Sequence, residues 1–153
     1  MEIAIHREKM ARLDGWRRRL DPVEDFELWM WTSMNAVTNG MNACLHHLGL
    51  TQPSPYYPHQ IPGLYVAPAP VQGQWQELFA APGDVIHTGL GSIAEHVPEG
   101  IARLWEELEK IEDLREVYVR GGKDATPDIC DECRLAYERC MELIPWGRAG
   151  RLS

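Results

Sequence analysis

The sequence contains one long stretch without charged side chains, because no aspartate, glutamate, lysine or arginine occurs from Leu28 through Gln76. Charged residues make up 25% of the whole chain, and so long a stretch without them is rarely exposed to water. We therefore expect this stretch to be covered. About twenty residues can cross a bilayer as a helix, but threonines, asparagines and a histidine pair make the stretch too polar to span one. We therefore expect no membrane span, and we expect cover from the rest of the chain or from a second subunit.

Length and charge distribution narrow the class of protein. A chain of 153 residues with 44% hydrophobic residues is near the usual size of one domain, so we predict a single domain over 1–153. Charges at Glu2, Arg7 and Glu8 interrupt any secretory signal, which favours a cytoplasmic protein. The net charge is −8, and no lysine or arginine lies between Arg19 and Arg103. We therefore predict no general binding to nucleic acid.

Apolar spacing and end signals predict four helices, at about residues 3–20, 22–48, 98–120 and 127–144. Asp21 and Pro22 are typical of a helix start, and Gly49 is typical of a helix end. Thr126 and Pro127 repeat the start signal before the fourth helix. The predicted fold class is all-α, a four-helix-bundle-like single domain.

A long crossover, residues 49–97, separates the second and third predicted helices and contains seven of the eleven prolines. Connectors of this length are usually functional or disordered. This one carries enough aromatic and aliphatic residues to pack over the helices as a lid. We expect a short helix in it at QWQELFAA (residues 74–81), a second one capped by Ser92 with Glu95, and no strand of useful length.

The second predicted helix has two different faces. The expected core stripe consists of Val23, Phe26, Met30, Val37, Met41, Cys44 and Leu48. The opposite face carries Asn35, Asn39, Asn42 and His46. Asparagine is a poor interior helix residue, and an ordinary wet face uses glutamate, lysine or arginine more often. Two interpretations are open: a solvent-facing polar stripe, or a face covered by the crossover or by another subunit.

The segment HHLGLTQPSPYYPHQIPG, residues 46–63, follows this helix and supplies further polar and aromatic groups. We expect prolines to hold an extended path and Tyr56 and Tyr57 to anchor it, which places His46 and His59 on opposite walls of a pocket. The predicted ligand-binding residues are Asn35, Asn39, Asn42, His46, Tyr56, Tyr57 and His59. A small-molecule ligand suits such a pocket, and no cofactor can be named.

Five of the six histidines, namely His46, His47, His59, His87 and His96, fall in the segment without lysine or arginine. Imidazole is a common metal ligand, and His96 with Glu99 and Asp84 with His87 each stand three residues apart. Neither pair has the context of a known metal-binding helix, and His-Glu-x-x-His is absent. We therefore predict no metal site.

The cysteines allow a second metal or redox interpretation. Cys130 and Cys133 form CDEC at the start of the fourth helix, where a helix dipole can activate a thiol, and Cys44 and His47 are imaginable further zinc ligands. Cys130, Cys133 and Cys140 also share an apolar arc of that helix. Buried thiols filling a helical core are the favoured interpretation.

The leading functional hypothesis is a soluble helical binding or interaction module, with a polar pocket or subunit interface formed by the second helix and the crossover. The alternative is a metal-dependent enzyme that uses histidines with Glu95, Glu99 or Asp84 as ligands. We also predict a homodimer, because Trp29 and Trp31 flank the core stripe on opposite sides and one helical interior cannot easily take both.

Overall fold

The computed structural model describes residues 1–53, 57–58, 64–79, 83–86 and 89–147. The fold is mostly helical, with four α-helices: α1 (Ile3–Arg17), α2 (Phe26–His47), α3 (Glu99–Arg115) and α4 (Pro127–Leu143). A short 3₁₀ turn, Gly91–His96, precedes α3, and one π-helical turn, Glu116–Arg120, extends it. Helix α1 packs on α2, α3 packs on α4, and α2 also contacts α3 and α4.

The end signals of α2 act as expected at one end and differently at the other. The Asp21 carboxylate accepts hydrogen bonds from the backbone N–H groups of Val23 and Glu24, at 2.9 and 3.0 Å. These bonds close a turn after Asp21. The helix begins beyond this turn, at Phe26 and not at residue 22. At the other end Gly49 has φ of +71°, a left-handed conformation that favours glycine and ends the helix.

The prediction of a purely helical fold is wrong in the crossover. An antiparallel sheet forms there from β1 (Tyr57–Pro58), β2 (Leu64–Pro68) and β3 (Trp75–Phe79), in the order β1-β2-β3. Leu64 pairs with Phe79 and Pro68 with Trp75, so the helix expected at 74–81 is wrong. A short segment such as WQELF suits a helix or a strand by its pattern, and here the neighbouring strand supplies the backbone partners.

Helix α2 is buried on nearly all sides, as expected for a helix whose residues after Glu27 carry no aspartate, glutamate, lysine or arginine. Its buried residues are Phe26, Trp29, Met30, Thr32, Ser33, Met34, Ala36, Val37, Thr38, Gly40, Met41, Asn42, Ala43, Cys44, Leu45 and His46. The expected core stripe is wrong at its two ends, because Val23 is 39% exposed and Leu48 is 49% exposed. Both residues lie just outside the helix, where the neighbouring elements no longer cover them.

The two tryptophans of α2 are covered by the rest of the chain to different extents. Trp29 is 3% exposed and lies beside Phe26, with ring centroids 6.4 Å apart. Trp31 is half-buried, and the Arg115 guanidinium lies 5.5 Å from the centre of its ring. The chain thus covers Trp29 almost fully and Trp31 only in part, and the homodimer stays a prediction.

None of the helices in the described residues combines the length and the apolar character that crossing a membrane requires.

All four cysteines are buried and free, which confirms the interpretation that they fill the core. Burial raises the pKa of the Cys44 thiol to about 11 and that of Cys133 to about 12. Burial also raises the pKa values of Cys130 and Cys140. Thiols held protonated in this way are poor nucleophiles and poor redox groups.

A buried carboxylate joins α1 to α4. The Tyr137 hydroxyl donates a 2.7 Å hydrogen bond to Asp14, and Arg17 and Arg18 form ion pairs with the same carboxylate. Burial alone would raise the pKa of Asp14, but the hydrogen bonds from Tyr137 and Arg18 and the two positive charges hold it below its ordinary value. This cluster of hydrogen bonds and ion pairs, the Asp14 cluster, links two helices that are far apart in sequence.

At Gly40, neighbouring side chains approach the backbone of α2 closely. A Cβ atom there would collide with Ile144 and lie 2.9 Å from the Met10 sulfur. We expect Gly40→Val to lower the free energy of unfolding by about 1–3 kcal/mol through overpacking. The control is Gly15→Ala in α1, where a Cβ meets nothing within 4 Å. It should raise stability by about 0.5–1 kcal/mol, and urea unfolding that ranks the two variants the other way would contradict this packing.

The lowered pKa in the Asp14 cluster predicts that the stability of the protein depends on pH. Because the folded pKa lies below the ordinary value of 3.8, the carboxylate stabilises the protein above that pH and loses this contribution as the pH falls towards the folded pKa. Asp14→Asn should cost about 1.5–3 kcal/mol at pH 7, and the difference from the wild type should shrink below pH 4. Urea unfolding at pH 7, 5 and 3.5 measures this. Asp113→Asn, on the exposed face of α3, is the matched control and should cost little at each pH.

Candidate functional site

The polar face of α2 is covered at its C-terminal half. Asn42 is 3% exposed and His46 is 8% exposed, while Asn35 and Asn39 are half-buried. The solvent-facing interpretation is therefore wrong for Asn42 and His46. Their hydrogen-bonding partners lie in the crossover, whereas Asn39 contacts His6 in α1 and the Asn35 carbonyl of its own helix.

Asn42 clamps the crossover to α2 through its side-chain amide. Its Nδ2 donates to the Val85 carbonyl at 2.8 Å, and its Oδ1 accepts from the Val85 N–H at 2.7 Å. Both backbone polar groups of Val85 are thus satisfied by one side chain. Two residues earlier, the Gly83 N–H donates to the Tyr65 hydroxyl at 2.6 Å, which links this part of the crossover to β2. Residues 83–85 are therefore held from two sides.

Between these two anchors the crossover presents Asp84 to a pair of histidines. His46 Nε2 lies 2.8 Å and His6 Nε2 lies 3.1 Å from the same oxygen, Oδ1 of Asp84. His46 Nδ1 lies 2.6 Å from the Thr51 hydroxyl, and His6 Nδ1 lies 3.0 Å from Oδ1 of Asn39. We call these five residues, His6, Asn39, His46, Thr51 and Asp84, the Asp84 site.

The electrostatics of the site favour an ionised carboxylate. Burial alone would raise the pKa of Asp84, but its contacts with His46, His6 and the Met1 amino group hold it well below its usual range. The Met1 nitrogen lies 2.9 Å from Oδ1. The two imidazole side chains are 2% and 1% exposed, whereas that of Asp84 is 16% exposed. The site thus holds a negative charge that is largely, but not wholly, shielded from water.

Three members of the Asp84 site were absent from the predicted ligand-binding residues: His6, Thr51 and Asp84. A signal for His6 exists, because it lies four residues before Met10, one turn along the apolar side of α1. Buried His6, Met10 and Asp14 indeed share that side. Asp84 was named only as a metal ligand in the alternative hypothesis. No local pattern indicates that a crossover residue returns to the C-terminal half of α2.

Some predicted site residues are not tested. Tyr56 and His59 lie outside the described residues, as does His87. Tyr57 contributes backbone to β1, and its side chain is likewise outside the description. The expected pocket between His46 and His59 therefore stays a prediction, as does the anchoring of residues 46–63 by the two tyrosines.

One group within the described residues has the chemistry and spacing of metal ligands. His6, His46 and Asp84 each offer an atom, and these atoms lie within 4.8 Å of one another. The other suggested ligands, Glu95, His96 and Glu99, are exposed, and His47 packs edge-on against Trp146 with ring centroids 5.7 Å apart. Of the carboxylates suggested in the alternative hypothesis, Asp84 is the one brought to two imidazoles.

A separate apolar cavity of about 200 Å³ lies between the C-terminal end of α2, the start of α3 and the end of α4. Cys44, Leu48, Ile101 and Trp146 contribute to its walls, with His47 as a polar group. A binding site of known kind usually combines apolar walls with several convergent polar groups. The Asp84 site has the convergent groups, so it is the stronger candidate.

Comparison with models of protein families, with curated proteins and with solved structures finds no match for this chain. What defines its class is therefore its own structure: a mostly helical protein with a His–Asp site where the crossover meets two helices.

The Asn42 clamp predicts a local effect of mutation. Asn42→Ala removes two hydrogen bonds and should cost about 1–3 kcal/mol. Amide hydrogen exchange at Val85 should accelerate about tenfold or more, since 1.4 kcal/mol corresponds to a factor of ten. Asn35→Ala is the matched control, because Asn35 bonds only to the Trp31 carbonyl of its own helix among the contacts described. Equal exchange at Val85 in the two variants would contradict the clamp.

Proposed function

We propose that this protein is a helical binding module that takes a cation at the Asp84 site. The observation that carries the proposal is the convergence of α1, α2 and the crossover on one carboxylate oxygen, at 2.8 and 3.1 Å from the two imidazole nitrogens. Burying a carboxylate costs free energy, and well-packed apolar residues are often as stable in its place. Asp84 differs from Asp14, which pairs with arginines, because one of its oxygens faces two imidazole nitrogens, and this arrangement supports binding.

The charge of the surrounding sequence supports a cationic ligand over an anionic one. The chain has 23 acidic residues against 15 lysines and arginines, and the crossover contains neither lysine nor arginine. The amide and hydroxyl groups of Asn39 and Thr51 hold the imidazoles from behind. The partly exposed Asp84 then offers the entry point for a cation from water.

Other parts of the functional hypothesis stay predictions. These are the homodimer, the absence of general nucleic-acid binding, the cytoplasmic location and the small-molecule ligand in a pocket closed by residues 46–63. The alternative, a metal-dependent enzyme, also stays a prediction. Its suggested ligand Asp84 belongs to the proposed site, and Glu95 and Glu99 do not.

A thermal-shift experiment tests the proposal with four cations: Zn²⁺, Mg²⁺, spermidine and tetramethylammonium. At about 100 times its dissociation constant, a ligand of the folded state adds about 2.7 kcal/mol, which raises the Tm of a domain of this size by about 5–10 °C. We expect such a shift from at least one cation in the wild type and its loss in Asp84→Asn. Asn35→Ala should keep it. No shift with any cation, or an equal shift in Asp84→Asn, would overturn the proposal.

A further inference from the structure

We infer that the cation of the Asp84 site is a divalent transition-metal ion, bound by Nε2 of His6, Nε2 of His46 and Oδ1 of Asp84. The inference rests on the proposed function and names the chemistry of its ligand. It follows from where the protons of the site can lie, and from what each imidazole has at its other nitrogen.

The proton of His6 is assigned by Asn39. The Asn39 amide Nδ2 donates to the Asn35 carbonyl at 2.8 Å, which orients the amide so that Oδ1 faces His6 Nδ1 at 3.0 Å. A flipped amide would set its oxygen against the Asn35 carbonyl oxygen. Since an amide oxygen can only accept, His6 Nδ1 must carry a proton and donate it.

His6 therefore has an acceptor on both sides. A neutral imidazole has one N–H, so with the proton on Nδ1 the Nε2 lone pair points at the Asp84 carboxylate oxygen, 3.1 Å away. Two electron pairs facing each other at that distance repel. Either a second proton or a metal ion must lie between them.

The surroundings of His6 Nε2 and Asp84 Oδ1 favour a metal ion over a second proton between them. With a second proton on His6, Nε2 would donate to Asp84 Oδ1 from a side chain that is only 2% exposed. Asp84 Oδ1 would also serve three donors at once, from His46, His6 and the Met1 nitrogen. A carboxylate oxygen has about two lone-pair positions, so three donors overfill it.

His46 has a related support. Its Nδ1 lies 2.6 Å from the Thr51 hydroxyl, which can accept a hydrogen bond when Nδ1 carries the proton and can donate one when it does not, and its Nε2 faces Asp84. Both imidazoles are thus held at Nδ1 by a protein oxygen while Nε2 faces one common point. Histidines that bind metals usually have this outer support, which fixes the tautomer and the ring orientation.

The donor set indicates which metals fit. Two imidazole nitrogens and one carboxylate oxygen suit zinc or iron(II), whereas magnesium and calcium prefer oxygen ligands throughout. Three protein ligands leave at least one coordination position for water or another ligand, as in catalytic and not in closed structural zinc sites. The ligands come from α1, α2 and the crossover, so the metal ties three separate segments together.

Cobalt(II) and zinc titrations test the inference on untagged, chelator-treated protein. We expect one equivalent of Co²⁺ to produce visible absorption bands that Zn²⁺ displaces. Asp84→Asn and His46→Gln should weaken binding by more than the roughly 10–100-fold expected for an outer partner, and Asn39→Leu by about that amount. His47→Gln and His96→Gln are matched controls, because neither histidine faces Asp84, and they should bind as the wild type does. Equal loss in a control would overturn the assignment.

Because a ligand variant can fail to fold, a second measurement uses the wild type alone. Long-range ¹H–¹⁵N spectra distinguish the two nitrogens of each imidazole. With Zn²⁺ we expect His6 and His46 to carry a proton at Nδ1 and a metal at Nε2. Doubly protonated His6 in the presence of Zn²⁺, or a spectrum that Zn²⁺ leaves unchanged, would refute the metal centre.

The outcomes separate this inference from the proposed function. If Zn²⁺ and Co²⁺ fail to bind but spermidine or tetramethylammonium stabilises the wild type and not Asp84→Asn, the metal centre is wrong and the cation-binding module stands. If no cation binds, both are wrong.

Discussion

The burial of α2 on nearly every side is the constraint on which the rest of the structure depends. A helix whose one aspartate, glutamate, lysine or arginine is Glu27 in its first turn gains from being covered, and α1, α3, α4 and the crossover supply that cover. Polar side chains enclosed by this packing need partners, since an unpaired buried polar group costs free energy. Asn42 finds one in the backbone of Val85, and His46 finds one in Asp84.

The enclosure of α2 requires partners for its polar side chains, and the Asp84 site supplies more polar and charged groups than that requirement needs. A single amide such as Asn42 is enough to attach the crossover, and it does so with neutral groups. The Asp84 carboxylate and the two imidazoles add a charge and a shared oxygen atom. Neither is needed to attach the crossover to α2. Such a departure from the most stable solution is typical of sites that bind or react, where stability is exchanged for function.

Much of the helical architecture follows from local sequence. Gly49 ends α2 in a left-handed conformation, and Pro127 begins α4, because these effects act within one turn of the chain. The strands at 64–68 and 75–79 could not be predicted in the same way. Five-residue segments such as these have no strong preference of their own, and their backbone partners come from another part of the crossover.

By itself, the sequence determined that α2 must be covered, that Asn42 and His46 sit on an unusual face of it, and that the cysteines lie in the core. Those properties depend on composition and on helical spacing, which are local. Only the tertiary structure decided that His6, Thr51 and Asp84 complete the site. His6 and Asp84 are 78 residues apart, and they meet because α1 and the crossover both pack against the same face of α2. Spacing along the chain carries no record of that meeting, since it depends on which surfaces pack together.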